Sequence, residues 1–484
     1  MLSKLFLKND ELIAKVFKGT VWLTFGSIFA RILISLSYVV LARILTQKEN
    51  GQFGMLKSTI DNFMIFATVG LGLSVTKFVS ESRNKNKKFS SEIIGLSLVS
   101  VLGLGLLVCI GFYFQRDKIL ANEINPNILF VVSIILVLNA FNSVQTGALI
   151  GLQSFKSISL INICQGFLFF LFVSAGSYWF GVKGAIIGNL FALILLVTSC
   201  HFILIKELRK EDIAISFSNW KTNSIKLWKF ALPSSLSTLI TAPTIWILNS
   251  MLTKQLNGYE QLGIYSVVLI VSNSIQILES SLGNVLLPIL LTETEKKSSS
   301  KEFLNYFGTW IASIALSIPF FLYPEAVSFI LGKKYPIETI LPILMLSIFS
   351  VLIIGNRQGL ARDLIVKNKM WLSVYSMGQW AITTFICFKM LGNDSAIKLA
   401  VSFLIGYLTN MLLFVPIYIQ LKISPKYIFF NYKVFFIWFC LASMCITTFY
   451  LSNLFLRIPL IFLFVFILYK IFNGIYVEIS KKGY

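Results

Sequence analysis

Apolar residues run along this chain in long windows of about 20 positions, separated by short polar segments in which most of the charges collect. At the ~1.5 Å rise of a helix, such a window crosses the ~30 Å hydrocarbon layer of a bilayer. Fourteen windows emerge, at 17–41, 52–77, 91–114, 127–151, 157–179, 183–205, 228–252, 262–292, 303–331, 339–361, 370–391, 396–420, 434–455 and 458–477. The pattern predicts an all-α polytopic membrane protein with fourteen transmembrane helices. Composition agrees: 56% of the 484 residues are hydrophobic and 13% charged, with 44 Phe, where a soluble domain carries roughly 25% charged residues. Secreted, soluble and disordered classes are excluded.

Charge sharpens the topology. The 42 Lys and Arg against 21 Asp and Glu give a formal +21, which in a soluble chain would suggest nucleic acid. In a chain this apolar the excess reads instead as cytoplasmic loop charge facing anionic membrane lipids, and no nucleic-acid partner is expected. With the N-terminus inside, 27 cations fall in cytoplasmic segments and 11 in outer loops. The even span count and the positive-inside rule then place both termini in the cytoplasm.

The remaining chemistry is sparse. Cys109, Cys164, Cys200, Cys387, Cys440 and Cys445 all sit inside apolar windows without CxxC spacing, and the single histidine, His201, has no partner motif. They read as small buried hydrophobes, so neither a metal nor a cofactor is expected. There is no Walker loop, nucleophile elbow or HExxH helix. A membrane-embedded glycosyltransferase or ligase would want long outer loops, and none here is much longer than a dozen residues. An enzyme is not expected. Nor is a cleavable signal peptide, since the first window is too long and contains Arg31.

The longest polar connector separates spans six and seven, and the two sides echo each other at a shift of 211 to 213 residues. Phe17-Lys18 corresponds to Trp228-Lys229, Gln145 to Gln358 and Lys156 to Lys369. Glu49-Asn50-Gly51-Gln52-Phe53 resembles Glu260-Gln261-Leu262-Gly263-Ile264-Tyr265 with one inserted residue. A repeat of six spans keeps its direction through the membrane, so the copies are related by an axis along the membrane normal. Paired bundles of this kind rock about a central cleft to give alternating access. The expected organisation is a six-helix bundle over 1–205, a cytoplasmic connector over 206–226, a second six-helix bundle over 227–421 and an appended helix pair over 422–484.

The charges inside the spans are the candidate site. Arg31 and Asp61 fall at similar depth on consecutive antiparallel spans. They form either a static ion pair or a substrate contact, because a lone central Arg costs at least ~2.5–3.5 kcal/mol. Lys57 either lines the cleft or snorkels to the interface. Arg357 stands in the cytoplasmic third of span ten, where it meets a phosphate or a lipid head group. Lys470 reads as an interfacial anchor. Glu279, mid-span eight, is either the proton-coupling acid or a hydrogen-bonded structural one. Pro233 and Pro243 bracket a Ser/Thr-rich stretch of span seven, which makes that span the candidate bending element.

Three stretches carry a family resemblance. Ala30-Arg31 through Leu41-Ala42-Arg43-Ile44-Leu45 to Gly51-Gln52-Phe53 resembles the opening of Wzx-type polysaccharide flippases of the multidrug/oligosaccharidyl-lipid/polysaccharide exporter superfamily. Lys229-Phe230-Ala231-Leu232-Pro233 with Gly263-Ile264-Tyr265-Ser266 is similar to the start of that family's second half. So is Gly181-Val182-Lys183-Gly184-Ala185-Ile186-Ile187-Gly188 to its sixth span. The likeness covers roughly residues 15–420. It implies a MATE-like fold and translocation of an undecaprenyl-pyrophosphate-linked oligosaccharide, such as an O-antigen or capsule repeat unit, from the cytoplasmic to the outer leaflet of a bacterial cytoplasmic membrane. Polysaccharide polymerase machinery would be the downstream partner. The alternative on the same fold is a cation-coupled multidrug exporter, but four in-span cations against two acids favour an anionic substrate. Many relatives have an acid near the end of span seven where this chain has Asn249-Ser250, so that acid's role does not carry over.

Overall fold

The computed structural model describes residues 11–83, 85–119, 126–216, 218–291, 299–367, 369–392, 395–451 and 453–482. Lys4, Lys8, Lys296 and Lys297, counted above as cytoplasmic, lie outside the described residues. Regular structure among the described residues is helical: α1 (Glu11–Ile44), α2 (Gln47–Thr68), α3 (Leu71–Ser82), α4 (Lys87–Ile119), α5 (Pro126–Gly151), α6 (Phe155–Lys210), α7 (Trp220–Thr253) and α8 (Gly258–Leu291) come first. After α9 (Ser299–Phe303) and a π-helical turn at Leu304–Gly308 follow α10 (Thr309–Leu322), α11 (Glu325–Leu331), α12 (Ile337–Val366), α13 (Met370–Met390), α14 (Ala396–Gln420), α15 (Lys426–Phe429), α16 (Tyr432–Tyr450) and α17 (Leu454–Lys482).

Among the described residues, ten helices are long and apolar enough to span a membrane, or twelve when each of two bent pairs counts as one span. The 56-residue α6 is two helices joined where Phe180 and Gly181 leave helical geometry. With α13, a further 21-residue helix, the order of fourteen windows is reproduced segment by segment.

One bent pair is span two. Between α2 and α3 the axis turns by 46°, with Val69 at φ 37° and Gly70 at φ 72°. A β-branched residue in the left-handed region is a genuine outlier. Gly70 has a second reason to be glycine, since a Cβ there would stand 2.6 Å from the Ala231 carbonyl oxygen. Thr68 and Ser74 hydroxyls donate to the Met64 and Gly70 carbonyls at the break, each at 3.0 Å. Broken spans are tolerated where their freed backbone groups find such partners.

The chain forms two compact units, Met1–Gly263 and Ile264–Tyr484. The first of these takes in span seven as well as the 206–226 connector. The reason is visible in α7, which packs on the N-terminal unit: Trp246 Nε1 donates to Thr59 Oγ1 at 3.0 Å and Asn249 Nδ2 to Ser58 Oγ at 3.1 Å. The connector is also fastened there. Glu92, 4% exposed, accepts from Ser218 Oγ, from Asn219 Nδ2 at 3.1 Å and from Asn223 Nδ2 at 2.7 Å. At the other end of span two, Gly51 of α2 lies backbone to backbone with α8. A Cβ on Gly51 would run into the Tyr259 carbonyl oxygen, and one on Gly263 into the Gln47 carbonyl oxygen. Each would stand 3.0 Å from the other glycine's nitrogen. These are equivalent positions of the sequence repeat.

In the C-terminal unit, Trp380 of α13 stacks on Phe403 of α14 at 5.9 Å between ring centres, and Phe403 on Tyr265 at 6.2 Å. The last two spans, α16 and α17, pack on α10, where Trp310 meets Trp438 at 5.0 Å and Phe472 at 5.8 Å. Arg457, counted among outer-loop cations, is in fact 2% exposed. It pairs with both oxygens of Glu325 at 3.0–3.1 Å and donates to the Leu451 and Leu322 carbonyls at 2.8 and 3.2 Å.

Candidate functional site: a polar cavity in the N-terminal unit

The N-terminal unit encloses a cavity of about 160 Å³ between α1, α2, α5 and both arms of α6. That is room for several waters, or for part of a polar substrate. Two sides of it are set by helical spacing. Ile34 and Tyr38 project from α1 one turn apart, while Phe53, Lys57, Ile60 and Asp61 form the facing stripe of α2. Asp61 lies ten residues past Gly51, about 15 Å along the helix, so the site sits at membrane depth.

Its only charges cancel each other. Lys57 Nζ donates to Asp61 Oδ2 at 2.5 Å across one turn, and the side chains remain 45% and 56% exposed. Pairs this open stabilise a helix by only ~0.3–0.5 kcal/mol, so both ends stay available to a ligand. Around the pair stand three amides. Asn139 Nδ2 donates back to the Ile135 carbonyl at 3.0 Å. Gln165 and Asn189 have no hydrogen-bond partner among the described residues. Tyr38 packs edge-on against Phe169 at 5.7 Å and lies 6.3 Å from Phe53. Amides, an exposed ion pair and aromatic faces make a surface for a neutral ligand rich in hydroxyls, with polar groups fixing orientation and rings taking its apolar faces.

The expected Arg31–Asp61 pair does not form. Asp61 is taken by Lys57, which lies on the same helix at i−4 and reaches it without crossing between helices. Arg31 is exposed. Seven residues before Tyr38, it lies on the same stripe of α1, about 10 Å further along the axis. Arg357 is in the C-terminal unit, where Nη2 donates to Ser376 Oγ at 3.2 Å and Nε has no partner among the described residues. Glu279, in the same unit, is fully buried. Pro233 and Pro243 flank a 47° bend between Trp220–Leu236 and Thr238–Thr253. Ser235 and Thr244 hydroxyls donate to the Leu232 and Ile240 carbonyls beside them, at 3.0 and 2.8 Å. Weighing charges alone missed Tyr38, Asn139, Gln165 and Asn189. Their signal was three amides inside otherwise apolar windows.

The sequence has relatives in step with this geometry. Residues 16–292 match the model of the family described as polysaccharide biosynthesis protein. The chain belongs to that family. Within it, the sequence is similar to an EPS I polysaccharide export inner membrane protein of Ralstonia solanacearum. The two are 24% identical over 311 residues, covering 61% of this chain and 69% of that one. Among solved structures, the fold is similar to an inward-facing multidrug resistance MATE family transporter of the MOP superfamily, with a TM-score of 0.62 and 16% identity over 81% of this chain and 94% of the other. A MOP superfamily transporter from Pyrococcus furiosus, described as having a binding pocket of reversed polarity, gives a TM-score of 0.59 at 16% identity, covering 84% and 96%. The MATE-like fold implied by the resemblance at residues 30–53, 181–188 and 229–266 stands.

Proposed function

We propose that this chain carries an undecaprenyl-pyrophosphate-linked oligosaccharide from the cytoplasmic to the outer leaflet of the bacterial inner membrane, by alternating access. The observation that carries the reading is the hydroxyl-seeking cavity at membrane depth in a member of a polysaccharide biosynthesis family. A saccharide hydroxyl left unpaired in hydrocarbon costs roughly 4–8 kcal/mol, and a repeat unit has many. Gln165, Asn189 and the Lys57–Asp61 pair offer replacement partners during passage. Arg31, on the same stripe of α1 as Tyr38, is the cation offered to the pyrophosphate. The polyprenyl tail stays in lipid, and the Pro233–Pro243 bend of α7 supplies the flexing element. A cationic drug is poorly served here, because the one carboxylate of the cavity is already neutralised by Lys57.

The test is complementation of a flippase-deficient strain. The chain should restore surface glycan, and Arg31→Ala should abolish it at unchanged membrane levels. Restored drug resistance with no surface glycan would overturn the reading.

A further inference from the structure

Three phenylalanines form a continuous row where α3, α4 and α7 meet. Phe78 of α3 packs edge-on against Phe89 of α4 at 6.1 Å between ring centres, and against Phe230 of α7 at 5.9 Å. All three rings are half-buried. A lysine stands at either end of the row. Lys77 Nζ lies 4.1 Å from the centre of Phe230 and 5.8 Å from that of Phe78, and Lys226 Nζ lies 5.4 Å from that of Phe89. Lys226 precedes Phe230 by one helical turn, so it shares a face of α7 with the ring that carries Lys77.

Both ammoniums lack an acid. Among the described residues neither makes an ion pair. α7 contains no acidic residue. Glu81, the one acid of α3, lies a turn beyond Lys77 and leaves it to the rings. Glu92 of α4 is buried and taken up by Ser218, Asn219 and Asn223. A ring face attracts a cation through its quadrupole but supplies no counter-charge. The result is two exposed lysines held in place beside apolar surface, each with donors to spare.

Their depth points to the kind of partner. Trp220, 58% exposed, and Trp228 lie on either side of Lys226, and tryptophan gathers at the head-group level of a bilayer. Lys77 lies seven residues past Gly70, about 10 Å along α3. This is the end of both spans that the positive-inside rule puts in the cytoplasm, where the leaflet carries anionic lipid.

We propose that the row is a binding site for one anionic phospholipid, with its head group between the ammoniums of Lys77 and Lys226 and the upper part of an acyl chain against Phe78, Phe89 and Phe230. The site bridges the jointed parts of two spans. α3 lies beyond the Val69–Gly70 break, and Lys226 and Phe230 lie on the arm of α7 that precedes its 47° bend. A bound lipid therefore ties these two arms to each other and to α4.

The test offers equimolar phosphatidylglycerol and phosphatidylcholine to the full chain in a neutral detergent and counts retained lipids by native mass spectrometry. The wild type should retain one phosphatidylglycerol in preference to phosphatidylcholine, and that lipid should raise its Tm. The Lys77→Gln, Lys226→Gln double variant should lose both effects while melting like the wild type in detergent alone. Removing the same charge as Lys85→Gln, Lys88→Gln, at exposed lysines that touch no ring among the described residues, should preserve them. So should Lys77→Arg, Lys226→Arg, because a guanidinium also stacks on rings and binds phosphate. Equal loss in the two glutamine pairs would reduce the site to general surface charge and overturn the proposal. So would the absence of any preference for phosphatidylglycerol, or retention of a polyprenyl phosphate in its place. These readouts need no glycan, so a failure of the transport reading would leave them standing.

Discussion

The reciprocal contact of Gly51 and Gly263 makes a quantitative prediction. Adding a methyl group to either glycine puts a Cβ onto the backbone carbonyl of the opposite helix and 3.0 Å from the opposite glycine's nitrogen. Backbone cannot rotate away as a side chain can, so α2 and α8 must separate. Overpacking of this kind costs ~1–3 kcal/mol, while replacing a helical glycine with alanine returns up to ~1 kcal/mol of helix propensity. Each single variant, Gly51→Ala or Gly263→Ala, should therefore be destabilised by up to about 2 kcal/mol. In the double variant one separation accommodates both methyl groups. Its cost should be no greater than that of one single variant, a favourable coupling of about 1–3 kcal/mol. Unfolding of the purified chain in detergent, followed by circular dichroism, measures all four corners of the cycle. Additive losses would refute the reciprocal geometry. So would a gain of ~1 kcal/mol in each single variant, as an unopposed helix would show.

Other outcomes follow from the same contacts. Lys57→Met should fold and reach the membrane at normal levels, because the pair it breaks is half-exposed and contributes only ~0.3–0.5 kcal/mol. Glycan export should nonetheless fall, and unchanged export would remove the pair from the site. Arg457→Ala removes a 2%-exposed guanidinium and its bonds to Glu325 and two carbonyls; a loss of ~1.5–3 kcal/mol in unfolding measurements is expected, against under ~1 kcal/mol if Arg457 were an ordinary loop cation. Reporter fusions after Lys210 and Lys369 should read cytoplasmic and one after Lys254 external, and an external signal at Lys210 would break the topology.

The order of spans was legible because a bilayer demands apolar windows of fixed length, and every window reappears as a helical segment. Helix breaks were less legible. Span two turns at Val69-Gly70, and one glycine beside a valine is indistinguishable in sequence from the many glycines that lie in straight helix. The partner of Asp61 was misread because depth along two antiparallel spans was weighed and the nearer option, Lys57 one turn away, was not. Glu92 escaped notice since an acid at the edge of a window looks like loop charge, whereas its three donors come from residues more than 120 positions later. The packing of α7 on the N-terminal unit was not legible either, because it depends on side-chain contacts that no composition records.

The central claim is that a lipid-linked glycan crosses the membrane against the amides and ion pair of the N-terminal cavity. The most direct measurement reconstitutes the purified chain in liposomes holding a fluorescent polyprenyl-pyrophosphate oligosaccharide, and follows how fast a membrane-impermeant quencher or glycosidase reaches the inner-leaflet pool. The account predicts rapid loss of the protected pool with wild type and a protected pool that persists with the Gln165→Leu, Asn189→Leu double variant, itself folded and inserted. Equal rates for wild type and the double variant, or no flipping by the wild type at all, would contradict it.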